Sequence, residues 1–457
     1  MRAKCSVGDE VIELELILRR RRAMRAVKGL RMDTLFTGAS GIVLGVLLAI
    51  IVVLVLVIWS IRRHRNPVLE FECGEPIETM LPSLAGLSLG AVVAGNRVEI
   101  FENGHFFDVL IDAIDAAQHS VHFETFLWKD GVLAKRMADA LCRRARSGVQ
   151  VRLMLDANGS RGIGDRVERQ LKEAGCNLSY FHRTRIRHIG VFNNRTHRKI
   201  AIVDGRVAFA GGHCIVDSWL GDAQDHDHFA DVSVRVRGPI VSHLQSVFSE
   251  NWVGHTGELF VGTDVFPALQ PEGDVPMHVA FVKPEGSAPA VKILHHALIC
   301  FANKRLWIQN PYFIPEPEAI DAFARAVQRG VDVRVMMPST GGSDFAVVQY
   351  AGHFVFDRLL RAGVRLFEYP HTLLHQKVIV IDSIWSSVGS CNFDDRSFEI
   401  NDEVTLGMLD ADIAQRLEAI FEKYAPQCRE ITLDDWRRRG LSERVIERLA
   451  YSVNELL

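Results

Sequence analysis

From Thr34 to Ile61 the chain carries no ionisable residue, and about 20 apolar residues suffice for a helix to cross the hydrocarbon of a bilayer. The pattern predicts a transmembrane helix over 34–61, with Trp59 as an interfacial anchor. It is too long for the roughly 7–15 apolar residues of a signal-peptide core, and no small-x-small cleavage site follows. Beyond Asn96 the period changes. SVHFETFLW (Ser120 to Trp128) reads as a strand, and Leu133, Met137 and Leu141 at i, i+4, i+8 read as a helix ending at Gly148. VRLML (Val151 to Leu155) is a buried strand, followed by a helix closing at Ala174-Gly175.

The same order returns downstream. RLWIQNPYFIP (Arg305 to Pro315), a helix through Ala319, Phe323 and Val327 to Gly330, VRVMM (Val333 to Met337) and a helix closing at Ala362-Gly363 repeat the first set. Glu124 matches Gln309, Gly148 matches Gly330 and Gly175 matches Gly363, at offsets of 185, 182 and 188. Near-constant offsets over several elements mean one unit used twice. Alternating strands and helices make each unit an α/β sandwich around a parallel or mixed sheet. The Gly- and Pro-rich stretch from Gly254 to Gly286 is the expected joint.

Length and composition add bounds. The 457 residues are 48% hydrophobic and 24% charged, which excludes disorder. The net charge of -3 hides an asymmetry: residues 1–65 hold twelve basic and five acidic side chains, which leaves the rest at about -10. An acidic body is a poor generic binder of nucleic acid. Seven basic residues precede the apolar run (Arg19 to Arg22, Arg25, Lys28, Arg31) and three follow it (Arg62, Arg63, Arg65). That count places the N-terminus in the cytoplasm and weakly favours a non-cytoplasmic body. The eight cysteines form no C-x-x-C pair, so zinc-ribbon and redox-motif readings fail.

The chemistry lies in a sentence written twice: HRKIAIVDGRVAFAGGHC from His197 and HQKVIVIDSIWSSVGSCN from His375. Both are H-x-K-x4-D, with His197, Lys199 and Asp204 in one copy and His375, Lys377 and Asp382 in the other. On a strand, residues i and i+2 share a face, so each His stands beside its Lys while the Asp falls in the turn at the far end. A single such motif is ordinarily a strand rim. By composition one chance copy has a probability of roughly a few per cent, and two at matching repeat positions about one in a thousand or less. Attack on a phosphodiester needs a neutral nucleophile, cations around the non-bridging oxygens, and an acid for the leaving alkoxide. Two histidines and two lysines supply these without a metal or cofactor.

The doubled motif, with G-S-x-N after its second copy (Gly389, Ser390, Asn392), resembles the phospholipase D superfamily. NRTHRKIAIVDGRVAFAGG, QNPYFIP, LHQKVIVID and VGSCNFDDRSFEINDE, with the anchor, resemble bacterial cardiolipin synthases from about Gly95 to Trp436. The resemblance implies an α/β fold of two tandem phospholipase D-like α/β/α repeats packed as a pseudo-dimer after one transmembrane helix. It implies a phosphohistidine on His197, His375 as general acid and then base, and phosphate binding by Lys199, Lys377, Ser390 and Asn392. It also implies an orienting acid for each imidazole downstream of its motif, Asp231 for His197 and Glu403 for His375. Asp204 and Asp382 are motif members with structural work in the turn. In the first copy Gly212 and Cys214 replace the Ser and Asn, so the phosphate clamp is asymmetric. Cys214 is then a packed small side chain rather than a catalytic thiol.

The expected function is phosphatidyl transfer making cardiolipin, with phosphatidylglycerol as donor and acceptor. A phospholipase D releasing phosphatidic acid, a membrane-anchored nuclease and an inactive lipid-binding module are the alternatives. An acidic body disfavours the nuclease, and the retained His and Lys pairs disfavour the inactive module. The partners expected are phospholipids and a membrane, with the protein single-pass in the bacterial inner membrane and no nucleic acid. The expected divisions are a basic arm (1–33), the transmembrane helix (34–61), the two repeats (62–265 and 266–430) and a helical tail (431–457). Arg183, Arg185, Arg187 and His188 are a candidate headgroup contact, with a solvated loop as the equal alternative. Val445, Ile446, Leu449, Ala450, Val453 and Leu457 form a helical stripe after Ser442, expected to pack on the core rather than a membrane.

Overall fold

The computed structural model describes residues 39–63, 71, 75–87, 90–181, 194–282, 290–452 and 454. The basic arm, residues 34–38 of the expected span, the Arg183–His188 run, Val453 and Leu457 lie outside them. The chain divides into two compact units, Met1–Val68 and Leu69–Leu457. In the first, Ala39–Arg63 is one 25-residue helix. Its side chains are described only as far as Leu54, and the large apolar ones from Val43 onward are exposed. Counting only residues whose side chains are described, which in this helix end at Leu54, no helix is long and apolar enough to cross a membrane.

The second unit is built on a mixed sheet. The first half supplies β1 (Val93–Glu102), β2 (Ser120–Thr125), β3 (Gln150–Asp156), β4 (Asn177–Phe181), β5 (Ile200–Val203), β6 (Val207–Gly211) and β7 (Val232–Arg237). The second supplies β8 (Val275–Val282), β9 (Arg305–Gln309), β10 (Asp332–Pro338), β11 (Arg365–Tyr369), β12 (Val378–Ile381), β13 (Trp385–Gly389) and β14 (Glu403–Leu409), with β15 (Arg429–Ile431) at the edge. The strand order is β15-β11-β10-β9-β12-β13-β14-β8-β1-β7-β6-β5-β2-β3-β4. Read outward from the β1–β8 pair, the halves repeat one another strand for strand. In each, three strands run parallel (β2, β3, β4 and β9, β10, β11) and the motif hairpin joins them antiparallel. The fold is α/β with two repeats. The Gly- and Pro-rich joint differs from expectation in one respect: it contains β8, whose alternating VPMHVAFV supplies a sheet strand beside β1 and β14.

Local signals fix the repeated elements. Gly148 and Gly330 both take φ +92°, and Gly175 and Gly363 take +96° and +91°, so all four helices end in the left-handed region that glycine enters without steric cost. One apolar layer spans both halves, with Phe248 and Trp252 of helix Val241–Thr256 and Leu417 and Phe421 of helix Ala411–Tyr424 on one side of the sheet. Each half covers its other face with its own helices, and the second is joined there by helix Ile77–Leu87 from before β1. Complete burial of each such side chain contributes about 1.5–3 kcal/mol.

The C-terminal stripe departs from its expected packing. On helix Leu441–Tyr451 only Ala450 of the stripe is buried, while Val445, Ile446 and Leu449 face outward. The same i, i+4 spacing serves either face, and here Glu447 and Ala450 take the inward one.

Burial of histidine in the second half has a measurable consequence. His295 lies between Phe393 and Phe398, at 5.5 and 5.3 Å, and burial lowers its pKa to about 3. The fold therefore takes it neutral, so its contribution is whole above the unfolded value near 6.5 and is lost as pH falls towards 3. His295→Phe is expected to flatten the acid limb of stability by up to about 1.4 kcal/mol per pH unit in that window. Denaturant titrations at pH 7 and pH 4 check this; an equal change at both would remove the explanation.

Candidate active site

The two H-x-K segments sit just before β5 and β12, and they cross to the opposite half. Thr196 bridges Asp402 in parallel register, with His197 N donating to Asp402 O at 2.9 Å. Leu374 bridges Ala230 likewise, with His375 N donating to Ala230 O at 2.7 Å. Each motif is thus stitched to a residue just ahead of β14 or β7 of the other repeat, Asp402 or Ala230. The next residues along are Glu403 and Asp231.

This exchanges the expected partners. His197 Nδ1–H donates to Glu403 Oε1 at 2.8 Å, and His375 Nδ1–H donates to Asp231 Oδ2 at 2.7 Å. The within-half pairing that the resemblance implied is corrected: each imidazole is oriented by the carboxylate of the other half. Both carboxylates are completely buried and their imidazoles nearly so. With Nδ1 as donor, each ring keeps its reactive lone pair on Nε2.

Both lysines join them. Lys377 Nζ lies 2.9 Å from His375 Nε2, whereas Lys199 Nζ donates to the carbonyl oxygen of His197 at 2.5 Å. Burial first, then the two ammonium groups together, hold both imidazoles well below their ordinary pKa. That each ring feels both lysines makes this one electrostatic site. Burial also lowers Lys199 and brings Lys377 down to about 7, and it pushes Glu403 up to about 7 and raises Asp231. The site therefore holds neutral rings beside lysine amines whose natural complement is an anion.

The remaining expected residues divide. Asp204 and Asp382 lie at the far ends of their hairpins, each with φ +53° in the turn. Asp204 accepts from the backbone N–H groups of Gln118, His119 and Ser120, and Asp382 from those of Asn303, Lys304 and Arg305. Their carboxylates tie the hairpins to the starts of β2 and β9 and do not meet the imidazoles, so they leave the catalytic set. Ser390 turns its hydroxyl to Glu403 Oε2 at 2.5 Å and is fully buried, which gives it a positioning contact rather than the expected phosphate contact. Asn392 is buried with its Oδ1 unpartnered among the described residues; a phosphate oxygen would call on the donors of its Nδ2 instead. Cys214 is buried and its thiol pKa is raised by that burial, in keeping with packing rather than thiolate chemistry.

The Gly212 departure has a steric reason. A Cβ there would come within 2.2 Å of Asp231 Oδ1, so no serine fits. The donor that serine would have brought comes from Trp219, whose Nε1–H donates to Asp231 Oδ2 at 2.7 Å while its ring meets His375 edge-on at 5.1 Å. Trp219 carries no motif signal; only its place shortly after the Gly-Gly hinted at it. Trp219→Phe keeps the ring and removes the donor. It is expected to lower kcat about tenfold or more, since a hydrogen bond to a charged group contributes roughly 1.5–3 kcal/mol. Unchanged kcat with an unchanged pH profile would deny Trp219 this role.

Comparison with known proteins follows the same lines. The family described as "Cardiolipin synthase, PLD-like domain" matches residues 110–252 and 296–425, one segment in each repeat. Cardiolipin synthase 2 of Bacillus anthracis is 34% identical over 344 residues, covering 75% of this chain and 66% of that protein. Cardiolipin synthase A of Pseudomonas putida is 34% identical over 371 residues, covering 80% of this chain and 76% of that one. Among solved structures, phosphatidylserine synthase of Haemophilus influenzae Rd KW20 superposes with a TM-score of 0.60 at 14% identity, over 81% of this chain and 98% of that one, a likeness of fold. The chain belongs to the cardiolipin synthase family of proteins with repeated phospholipase D-like domains.

Proposed function

We propose that the protein is a phosphatidyltransferase that makes cardiolipin from two molecules of phosphatidylglycerol. The observation that carries this reading is the pair of buried imidazoles, one from each repeat, each held at Nδ1 by the opposite repeat's carboxylate and both flanked by the same two lysines.

His197 Nε2 attacks the phosphorus of the first phosphatidylglycerol and forms a P–N bond as the bond to the headgroup glycerol oxygen breaks. His375, protonated on Nε2, gives its proton to that oxygen, and glycerol leaves. The arriving phosphodiester anion raises the pKa of His375, which burial first and then the lysines hold down, so the ring takes up a proton from solvent as the lipid binds and both lysines keep theirs. His375 then removes a proton from the terminal glycerol hydroxyl of a second phosphatidylglycerol. Its oxygen displaces His197 from phosphorus and yields cardiolipin. Lys199, Lys377 and Asn392 hold the non-bridging oxygens as negative charge gathers there. One phosphodiester replaces another, so the exchange needs no nucleotide.

Residues 62–265 and 266–430 form the two catalytic repeats in this reading, with 431–457 as the tail. The helix Ala39–Arg63 is the single-pass anchor in the bacterial inner membrane. Its 25 residues extend about 37 Å at 1.5 Å each, enough for a hydrocarbon core of about 30 Å. The exposed apolar side chains from Val43 to Leu54 support the assignment. Anchoring keeps the pocket at high local lipid concentration. The test incubates the membrane-reconstituted protein with phosphatidylglycerol labelled in its headgroup and separates the products. Cardiolipin with free labelled glycerol in equal amounts supports the synthase; phosphatidic acid without cardiolipin would make it a hydrolase.

A further inference from the structure

The helix Leu441–Tyr451 is amphipathic the wrong way round for a helix that only packs on a body. Its inward face presents Glu447, whose carboxylate pairs with Arg439 at 2.8 Å, together with Ala450. Its outward face presents Leu441, Val445, Ile446 and Leu449, at 80, 56, 45 and 64% exposure. Positions i, i+4, i+5 and i+8 make this one continuous stripe. Phe345, Val347 and Phe354, on or just before the neighbouring helix Ala346–Ala362, are exposed as well, and Phe354 stacks on Tyr451 at 4.4 Å. Apolar side chains grouped outward in this way mark a contact surface.

Charge identifies the occupant. Arg437, Arg438, Arg444 and Arg448 are exposed around the stripe, against Asp434, Asp435 and Glu443 once Arg439 and Glu447 have paired, which leaves the segment basic by one charge. On a body whose net charge is about -10, a segment of apolar side chains edged by arginines is complementary to an anionic lipid surface. The helix that carries the stripe also packs near the segment that carries Asn392. Ala450 packs with Ile314 and Val348, Ile314 N donates to Phe393 O at 2.8 Å, and Asn454 reaches Asp395, three residues beyond Asn392.

We propose that this outward face is a second, peripheral membrane contact that holds this side of the catalytic unit on an anionic bilayer, where its lipid substrates lie. The proposal rests on the lipid reading of the site, and its first test does not depend on turnover. The full chain with Ile446→Cys, labelled with an environment-sensitive fluorophore beside an identically treated parent, is reconstituted into vesicles containing brominated phosphatidylglycerol. Quenching at position 446, stronger than in brominated phosphatidylcholine vesicles and weakened by salt, is expected. A label that stays unquenched, or that is shielded by cross-linking to a second copy, overturns the contact. A second variant reads its use. Val445→Ser with Leu449→Ser, both at exposed sites, is expected to cut turnover of bilayer phosphatidylglycerol at least tenfold while leaving monomeric short-chain phosphatidylglycerol unaffected. Equal rates to the parent on both substrates, or equal losses on both, count against the proposal. Quenching with no cardiolipin formed by the parent would leave the contact standing and remove the synthase reading instead.

Discussion

His197→Ala is expected to lower kcat by about 10⁴-fold or more, because it removes the atom that bonds to phosphorus and no second nucleophile stands in its place. The side chain is almost buried, edge-on to Phe126 at 5.1 Å and hydrogen-bonded to Glu403, and circular dichroism should stay close to the parent's. His375→Ala is expected to be equally inactive on phosphatidylglycerol for a different reason. The alkoxide of glycerol is a poor leaving group, and the proton it needs is gone. A phosphatidyl donor with a nitrophenolate leaving group requires no such proton. On that donor His375→Ala should regain a first-turnover burst of nitrophenolate, while His197→Ala should not. A burst of equal size in both variants would contradict the division of labour.

The exchanged carboxylates lead to the second large effect. Glu403→Gln loosens His197, and Asp231→Asn loosens His375, although each lies in the other repeat. Loss of the group that fixes a catalytic imidazole's tautomer is expected to cost about 10²- to 10⁴-fold in kcat. With the nitrophenolate donor the two should part: Asp231→Asn regains its burst, following His375, and Glu403→Gln does not, following His197. The reverse pattern would restore the within-half pairing and reject the cross-half one. Ser390→Ala, which deprives Glu403 of a donor, should shift in the same direction as Glu403→Gln by a smaller factor.

Much of this is legible in the sequence because it is local. The helix-ending glycines, the buried runs VRLML and VRVMM, and the aspartates in the turns each report a preference satisfied within a few residues. Two copies at matching spacing made the repeat visible. What could not be read is what depends on contacts made across the halves. The span from His197 to Glu403 is 206 residues, and nothing in the spacing says that Thr196 will bridge Asp402 rather than its own repeat. Trp219 was invisible for the same reason, since its value comes from the space that Gly212 leaves beside Asp231. The C-terminal stripe was seen but turned to the wrong side, because periodicity gives the angle between apolar residues and not what lies opposite them.

The central claim is that a phosphatidyl group rests on His197 between two lipids. It is tested most directly by quenching the His375→Ala protein after one turnover of the nitrophenolate donor carrying labelled phosphorus, then digesting it under alkaline conditions and sequencing the labelled peptide. The account expects acid-labile, base-stable label on His197, near one per chain. Label on any other residue, or none despite a full burst of nitrophenolate, would contradict it.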